Sequence, residues 1–284
     1  MHESASLKRS VWITQMQSGT SIPVRSDMYL IMNPLNPVIA LLQFTTILPL
    51  GRMAPFEAFS RNVWIYPLAG YVTGGIAGVV LFLIPAPPLV AAGIGLAVLL
   101  FVTGCNHLDG LLDLGDGLMA HGNREIRVRA LTDRTIGTGG IALGLMVTLL
   151  SWGSLASLHL AFIAIILAEV AGKYTMVIMT IFGRPFHEGL HAMLHKYTSP
   201  WYAIPSTLLL LPLLLLPVSI ISIGLMVAVI IVVPAILITL STRLFGGVNG
   251  DVTGAGGEIT RAGVLAVLAC TSAVSAPSLM DILL

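Results

Sequence analysis

Three aspartates, one histidine and four glycines crowd into Gly104-Cys105-Asn106-His107-Leu108-Asp109-Gly110-Leu111-Leu112-Asp113-Leu114-Gly115-Asp116-Gly117, at the end of a long apolar run. Helical spacing sets Asp109, Asp113 and Asp116 at i, i+4 and i+7, within about 60° of one another at roughly 100° per residue. Like charges on one stripe repel unless a cation holds them together. Carboxylate oxygens suit a hard ion such as Mg²⁺, which usually also ligates substrate phosphates. Carboxylates beside an apolar run are costly to desolvate, so their presence points to function. The expected chemistry is metal-assisted transfer of a phosphate group, with Asp109, Asp113 and Asp116 as metal ligands.

Other motifs fit that chemistry. Arg129-Ala130-Leu131-Thr132-Asp133-Arg134-Thr135-Ile136-Gly137-Thr138-Gly139-Gly140 opens an apolar span. Free N–H groups at a helix start bind anions, and Arg129 and Arg134 can clamp phosphate oxygens. Gly246-Gly247-Val248-Asn249-Gly250-Asp251-Val252-Thr253-Gly254-Ala255-Gly256-Gly257-Glu258 reads as a loop in which glycine lets backbone approach a ligand. Glu169 and Lys173 stand four residues apart inside an apolar span, where charged groups are functional or paired with function. His187-Glu188-Gly189-Leu190-His191 is a literal HExxH, with His195 continuing the row. Intramembrane metalloproteases place that motif in a membrane helix ahead of a Leu-Asp-Gly. Here it follows Leu108-Asp109-Gly110 and sits beside Gly183-Arg184-Pro185, so a peptidase is disfavoured.

These residues must be positioned by membrane helices. Of 284 residues, 56% are hydrophobic and only 10% charged, against about 25% charged in a soluble domain. The expected fold is all-α: a polytopic helical bundle with about seven spans, at about 63–83, 87–104, 137–155, 158–182, 201–219, 221–242 and 262–280. The short Leu35–Leu50 segment is expected to be a tilted span, a re-entrant segment or an interfacial helix. Residues 1–27 form a flexible polar extension, and residues 28–284 a single catalytic domain. Arg and Lys fall in alternate connections, while those around Pro85–Pro88, Gly153–His159 and Pro217–Ile220 carry none. The positive-inside rule then sets the charged loops, and the chemistry, on the cytoplasmic face of the cell membrane. A net charge of +1 implies no nucleic-acid partner, and two cysteines outside any CxxC imply structural roles.

The spacing Asp113-x-x-Asp116-Gly117-x-x-Ala120 matches half of the CDP-alcohol phosphotransferase signature, but His121 replaces its Arg and the second half is missing. The motifs taken together resemble the cobalamin synthase family, the adenosylcobinamide-GDP ribazoletransferases, from about Leu42 to Glu258. Phe44-Thr45-Thr46-Ile47-Leu48-Pro49 and Tyr66-Pro67-Leu68-Ala69-Gly70 are similar to its early elements. His107 to Asp113 with Asp116-Gly117-Leu118 is its most specific signature. Asp133-Arg134-Thr135-Ile136-Gly137-Thr138, Gly246 to Asp251 and Gly254-Ala255 complete it, with Gly189 in its fourth loop. Thr46 and Lys173 stand where Arg is usual.

The resemblance implies that adenosylcobinamide-GDP meets α-ribazole or its 5′-phosphate, GMP leaves, and the nucleotide loop of vitamin B12 is completed with Mg²⁺. One of Asp109, Asp113, Asp116 or Asp133 is expected to take the acceptor's proton. His107, Arg129, Arg134, Thr138, Lys173, Asn249 and Asp251 are expected to bind substrate, with Asp251 at the metal shell or a nucleoside. The lipid bilayer is the expected surrounding, and homo-oligomerisation or association with other corrinoid-assembly enzymes stays open. A lipid phosphotransferase and an ion-coupled transporter are the rivals.

Overall fold

Within a bilayer every backbone N–H and C=O must be satisfied inside the protein, so apolar runs fold as helices. The computed structural model describes residues 34–275, which form helices and no strand. In chain order these are α1 (Asn36–Thr45), α2 (Phe56–Ser60), α3 (Pro67–Leu83), α4 (Pro88–Val102), α5 (Asn106–Met119), α6 (Arg124–Thr132), α7 (Thr138–Ala156), α8 (Ala161–Phe182), α9 (Leu190–Lys196), α10 (Ala203–Leu208), α11 (Ile220–Leu244) and α12 (Gly250–Ser275). Short 3₁₀ turns precede α3 and flank α10. The polar segment 1–27 lies outside the described residues.

The class is as expected. Among the described residues, four helices are long and apolar enough to cross a membrane: Val63–Leu83, α7, α8 and α11. Two bent pairs, α4 with α5 and α9 with Pro200–Leu215, raise the number to six if each is one span. The expected 87–104 span stops at Val102 and turns through 94° into α5. The expected 201–219 span breaks into short pieces, where Pro200, Pro205, Pro212 and Pro217 remove backbone donors. The expected 262–280 span overlaps the latter part of α12, which starts at Gly250 and carries Asp251, Glu258 and Arg261, and residues 276–280 lie outside the described ones. α1 has ten residues, about 15 Å, too short for a bilayer core of about 30 Å. α9, about 10 Å long, is too short to cross by itself.

α8 is the axis of the bundle, with most of its residues buried. It packs against α3 through Gly70, Gly74 and Gly78, a small-residue ladder that lets helix backbones touch. A Cβ at Gly70 would lie 2.7 Å from the Cα of Val170, and one at Gly78 2.8 Å from the carbonyl oxygen of Phe162. α5 is held as closely: a Cβ at Gly110 would lie 2.6 Å from the Asp251 carbonyl oxygen on α12, and one at Gly115 2.6 Å from that of Gly139 on α7.

The end of α8 explains the HExxH motif. The last carbonyls of a helix lack intrahelical donors. His195 Nδ1 lies 2.8 Å from the Thr180 oxygen, and His191 Nε2 2.8 Å from the Gly183 oxygen. Two histidines one turn apart on α9 therefore close the C-terminus of α8. A carbonyl oxygen only accepts, so His191 Nε2–H donates to Gly183. Thr253 Oγ1 of α12 lies 3.1 Å from Nδ1 and 2.9 Å from the Asn249 carbonyl oxygen. A parallel bridge between Pro185 and Val248, with Val248 N–H donating to the Arg184 oxygen, ties the same loop to the start of α12.

Candidate active site

The corner between α4 and α5 depends on two residues with positive φ. Gly104 has φ 62° and Cys105 φ 57°. Glycine takes that conformation freely, whereas for cysteine it costs about 1–2 kcal/mol. The corner swings α5 away from the axis of α4 and presents Asp109 and Asp113 to a cavity of about 560 Å³.

Two unlike walls enclose that cavity. One is charged and polar: Asp109 and Asp113 from α5, Asp133 and Arg134 from the α6–α7 connection, and Asn249 and Asp251 at the start of α12. The other comes from the first helices and is mostly apolar, with Phe44, Ile47, Phe56 and Tyr66, closed by Met176 of α8. That aromatic wall and the lining residues His187 and His191 were not marked as site residues in the sequence. Nothing in a run such as Phe44-Thr45-Thr46 or Phe56-Glu57-Ala58-Phe59 tells a cavity wall from a core.

The acidic face of α5 divides. Asp116 is not among the cavity-lining residues. Its carboxylate accepts hydrogen bonds from the Gly137 N–H at 2.7 Å and the Gly140 N–H at 2.8 Å. Those N–H groups open α7, and a carboxylate there satisfies orphan donors and the positive end of the helix dipole. The structure therefore brings Asp109 and Asp113, but not Asp116, to the cavity. Among the described residues, no group of three or more His, Cys, Asp or Glu side chains is placed to hold a metal. Two carboxylates on adjacent turns, with Asp251 on the same cavity, still suit an ion that takes its remaining ligands from phosphates and water.

Other expected site residues fall in different places. Arg134 lines the cavity, whereas Arg129 on α6 and Thr138 at the first turn of α7 are exposed away from it. Asn249 is buried and doubly engaged: it accepts from Val252 N–H at 3.0 Å and donates to Asp251 Oδ2 at 2.8 Å. It thus caps α12 and aims Asp251. Asp133 is exposed, and the Thr135 hydroxyl at 2.7 Å and the Thr135 N–H at 3.0 Å hold its carboxyl below the usual carboxylate range. That makes Asp133 a weaker base and a better anion, suited to contacting a cation rather than accepting a proton.

Lys173 does not reach the cavity. Its ammonium is buried, 3.2 Å from His107 Nδ1 and 3.6 Å from Glu169. An ammonium only donates, so Nδ1 accepts and a neutral His107 carries its proton on Nε2. Lys173 thereby orients a ring that lines the cavity beside the aspartates. Glu169 also accepts from the Thr73 hydroxyl at 2.8 Å and pairs with Arg261 at 3.2 Å, and Arg261 pairs in turn with Glu258. Glu258 and Arg261 were read as loop charges, yet they stand three apart on α12 and join Glu169 and Lys173 in one buried quartet. Their i, i+3 spacing was the available signal.

The model of the cobalamin-5-phosphate synthase family matches residues 37–269. Proteins named adenosylcobinamide-GDP ribazoletransferase are similar over most of their length. The one from Methanococcoides burtonii is 32% identical over 79% of this chain and 88% of its own. That from Halorubrum lacusprofundi is 37% identical over 79% and 93%, and that from Methanocella arvoryzae 34% over 83% and 96%. No solved structure matches. The family match covers the cavity, both of its walls and the buried quartet behind it, and the chain belongs to the cobalamin-5-phosphate synthase family.

Proposed function

We infer that this protein is a membrane phosphotransferase that joins the adenosylcobinamide phosphate of adenosylcobinamide-GDP to α-ribazole or its 5′-phosphate, with GMP as leaving group. The observation that carries the reading is the convergence of Asp109, Asp113, Asp251 and Arg134 on one cavity in a chain of this family. In the reaction an acceptor hydroxyl oxygen bonds to the cobinamide-side phosphorus. The bond from that phosphorus to the bridging oxygen breaks, and GMP leaves with that oxygen. Asp109 or Asp113 takes the hydroxyl proton, since Asp133 is held as a stable anion and Asp116 is committed to α7. Arg134 holds phosphate oxygens as charge builds on them. His107, its Nδ1 held by Lys173, lines the cavity beside these groups. Mg²⁺, where bound by Asp109 and Asp113 with Asp251 nearby, supplies neutralising charge to the phosphoryl oxygens.

The cavity end of the bundle faces the cytoplasm in this reading. Arg124, Arg127, Arg129, Arg134 and Arg184 all lie in connections at this end. The connections around Leu158 and Pro217, free of Lys and Arg, meet elsewhere around a second cavity of about 380 Å³. An ion-coupled transporter is disfavoured because Glu169, its best candidate acid, is already held by Thr73, Lys173 and Arg261.

The test is GMP release by detergent-purified protein given adenosylcobinamide-GDP, α-ribazole and Mg²⁺, with an EDTA control. Metal-dependent GMP together with a corrinoid product carrying the nucleotide loop is the expected result. Folded protein that releases none, but releases CMP from a CDP-alcohol with a lipid acceptor, would reassign the reaction.

A further inference from the structure

The apolar wall of the cavity carries polar side chains as well, and nearly all of them are engaged within the protein. Gln43 donates to the Arg52 carbonyl at 2.9 Å and accepts from the Ala54 N–H at 2.9 Å. The Thr46 hydroxyl donates to the Leu42 carbonyl at 2.6 Å. Tyr66 differs. It lines the cavity with only 1% of its surface exposed, its ring packs edge-on against Phe59 with centroids 5.2 Å apart, and its hydroxyl has no hydrogen-bond partner among the described residues. A phenol hydroxyl at such a site is normally satisfied, because leaving it unmade costs free energy.

We propose that Tyr66 and the aromatic wall around it form the subsite for the base of the acceptor nucleoside, with the Tyr66 hydroxyl donating a hydrogen bond to the base's ring nitrogen. The proposal rests on the ribazoletransferase reading and adds a specificity determinant to it. The base of α-ribazole is flat and aromatic, with methyl groups along one edge and a single unsubstituted ring nitrogen as its acceptor. Phe44 and Ile47, the half-buried members of this wall, offer it apolar contact, and the Tyr66 hydroxyl is the donor on that side. A guanine edge, with several donors and acceptors, would be left largely unpaired against this wall, which disfavours the GDP moiety there. The charged wall then takes the phosphates. A cavity of about 560 Å³ suits a nucleoside and its phosphates, so the corrin ring stays at the mouth.

The experiment compares two acceptors: α-ribazole, and the corresponding dimethylindole nucleoside with C–H in place of the ring nitrogen. GMP release is followed for the native protein and for Tyr66→Phe. The native protein is expected to favour α-ribazole by about tenfold in kcat/KM, the worth of one hydrogen bond in a dry site. In Tyr66→Phe that preference should fall to near one. A native protein indifferent to the nitrogen, or a Tyr66→Phe variant that keeps the full preference, overturns the subsite. Native protein that releases no GMP with either acceptor overturns the transferase reading, and the subsite with it. If Tyr66→Phe does not fold, a native protein indifferent to the nitrogen still overturns the subsite.

Discussion

Two sets of acidic side chains lie a few turns apart in this bundle and are handled in opposite ways. Glu169 and Glu258 are buried, and each has its cation on its own helix: Lys173 at i+4 and Arg261 at i+3. Asp109 and Asp113 occupy a helix that carries no Lys or Arg, and they line a cavity. The first arrangement is closed, since its charges cancel within one cluster and hold α3, α8 and α12 together. The second presents negative charge where a substrate's phosphates and their cation would arrive. In the proposed reaction the same functional group is structure in one place and chemistry in the other. His107 joins the two, taking its orientation from Lys173 in the quartet and lining the cavity beside Asp109.

The contrast can be broken from either side. Asp113→Asn should lower the rate of GMP release by about a hundredfold or more while the thermal midpoint in detergent holds. Near-normal turnover would remove Asp113 from the chemistry. Glu169→Gln should act the other way, because it leaves Lys173 and Arg261 facing only Glu258. A broken buried ion cluster costs about 3–5 kcal/mol, read as a large fall in the thermal midpoint. An unchanged midpoint would mean that the quartet contributes nothing to folding. Asp116 sharpens the comparison, since it belongs to α5 but serves α7. Asp116→Ala should cost about 2 kcal/mol for two lost charge-assisted hydrogen bonds, with a smaller loss of turnover than Asp113→Asn. A turnover loss exceeding that of Asp113→Asn would return Asp116 to the metal set.

Much of this was legible in the residues. The apolar runs gave the fold class, and the acidic face of α5 followed from the spacing of its aspartates. What stayed hidden depends on where distant segments land. The role of Asp116 is set by an N-terminus more than twenty residues away, which no local spacing reveals. Residues 250–258 read as loop because glycine is a poor helix former. Packing overrides that: Gly257 lies against Met176 and Gly172, and Gly256 against Met179, so a helix fits only because side chains are missing there. The breaks within the expected spans were not legible, because hydropathy does not register a 94° corner or a helix broken by prolines. HExxH was set aside as a peptidase motif by its order and surroundings, but its actual role was hidden, because a row of histidines that closes the end of a helix has the same spacing as one that binds zinc.

The glycines of α5 have a consequence of their own. At 110 and 115 the gap to the neighbouring backbone is narrower than a methyl group. One added carbon at 110 would wedge α5 off α12 and carry Asp109 and Asp113 away from Asp251, though it changes no charge and meets no substrate. Along this helix tolerance to replacement follows clearance rather than reactivity. The plainest residues of the motif have the least freedom to change.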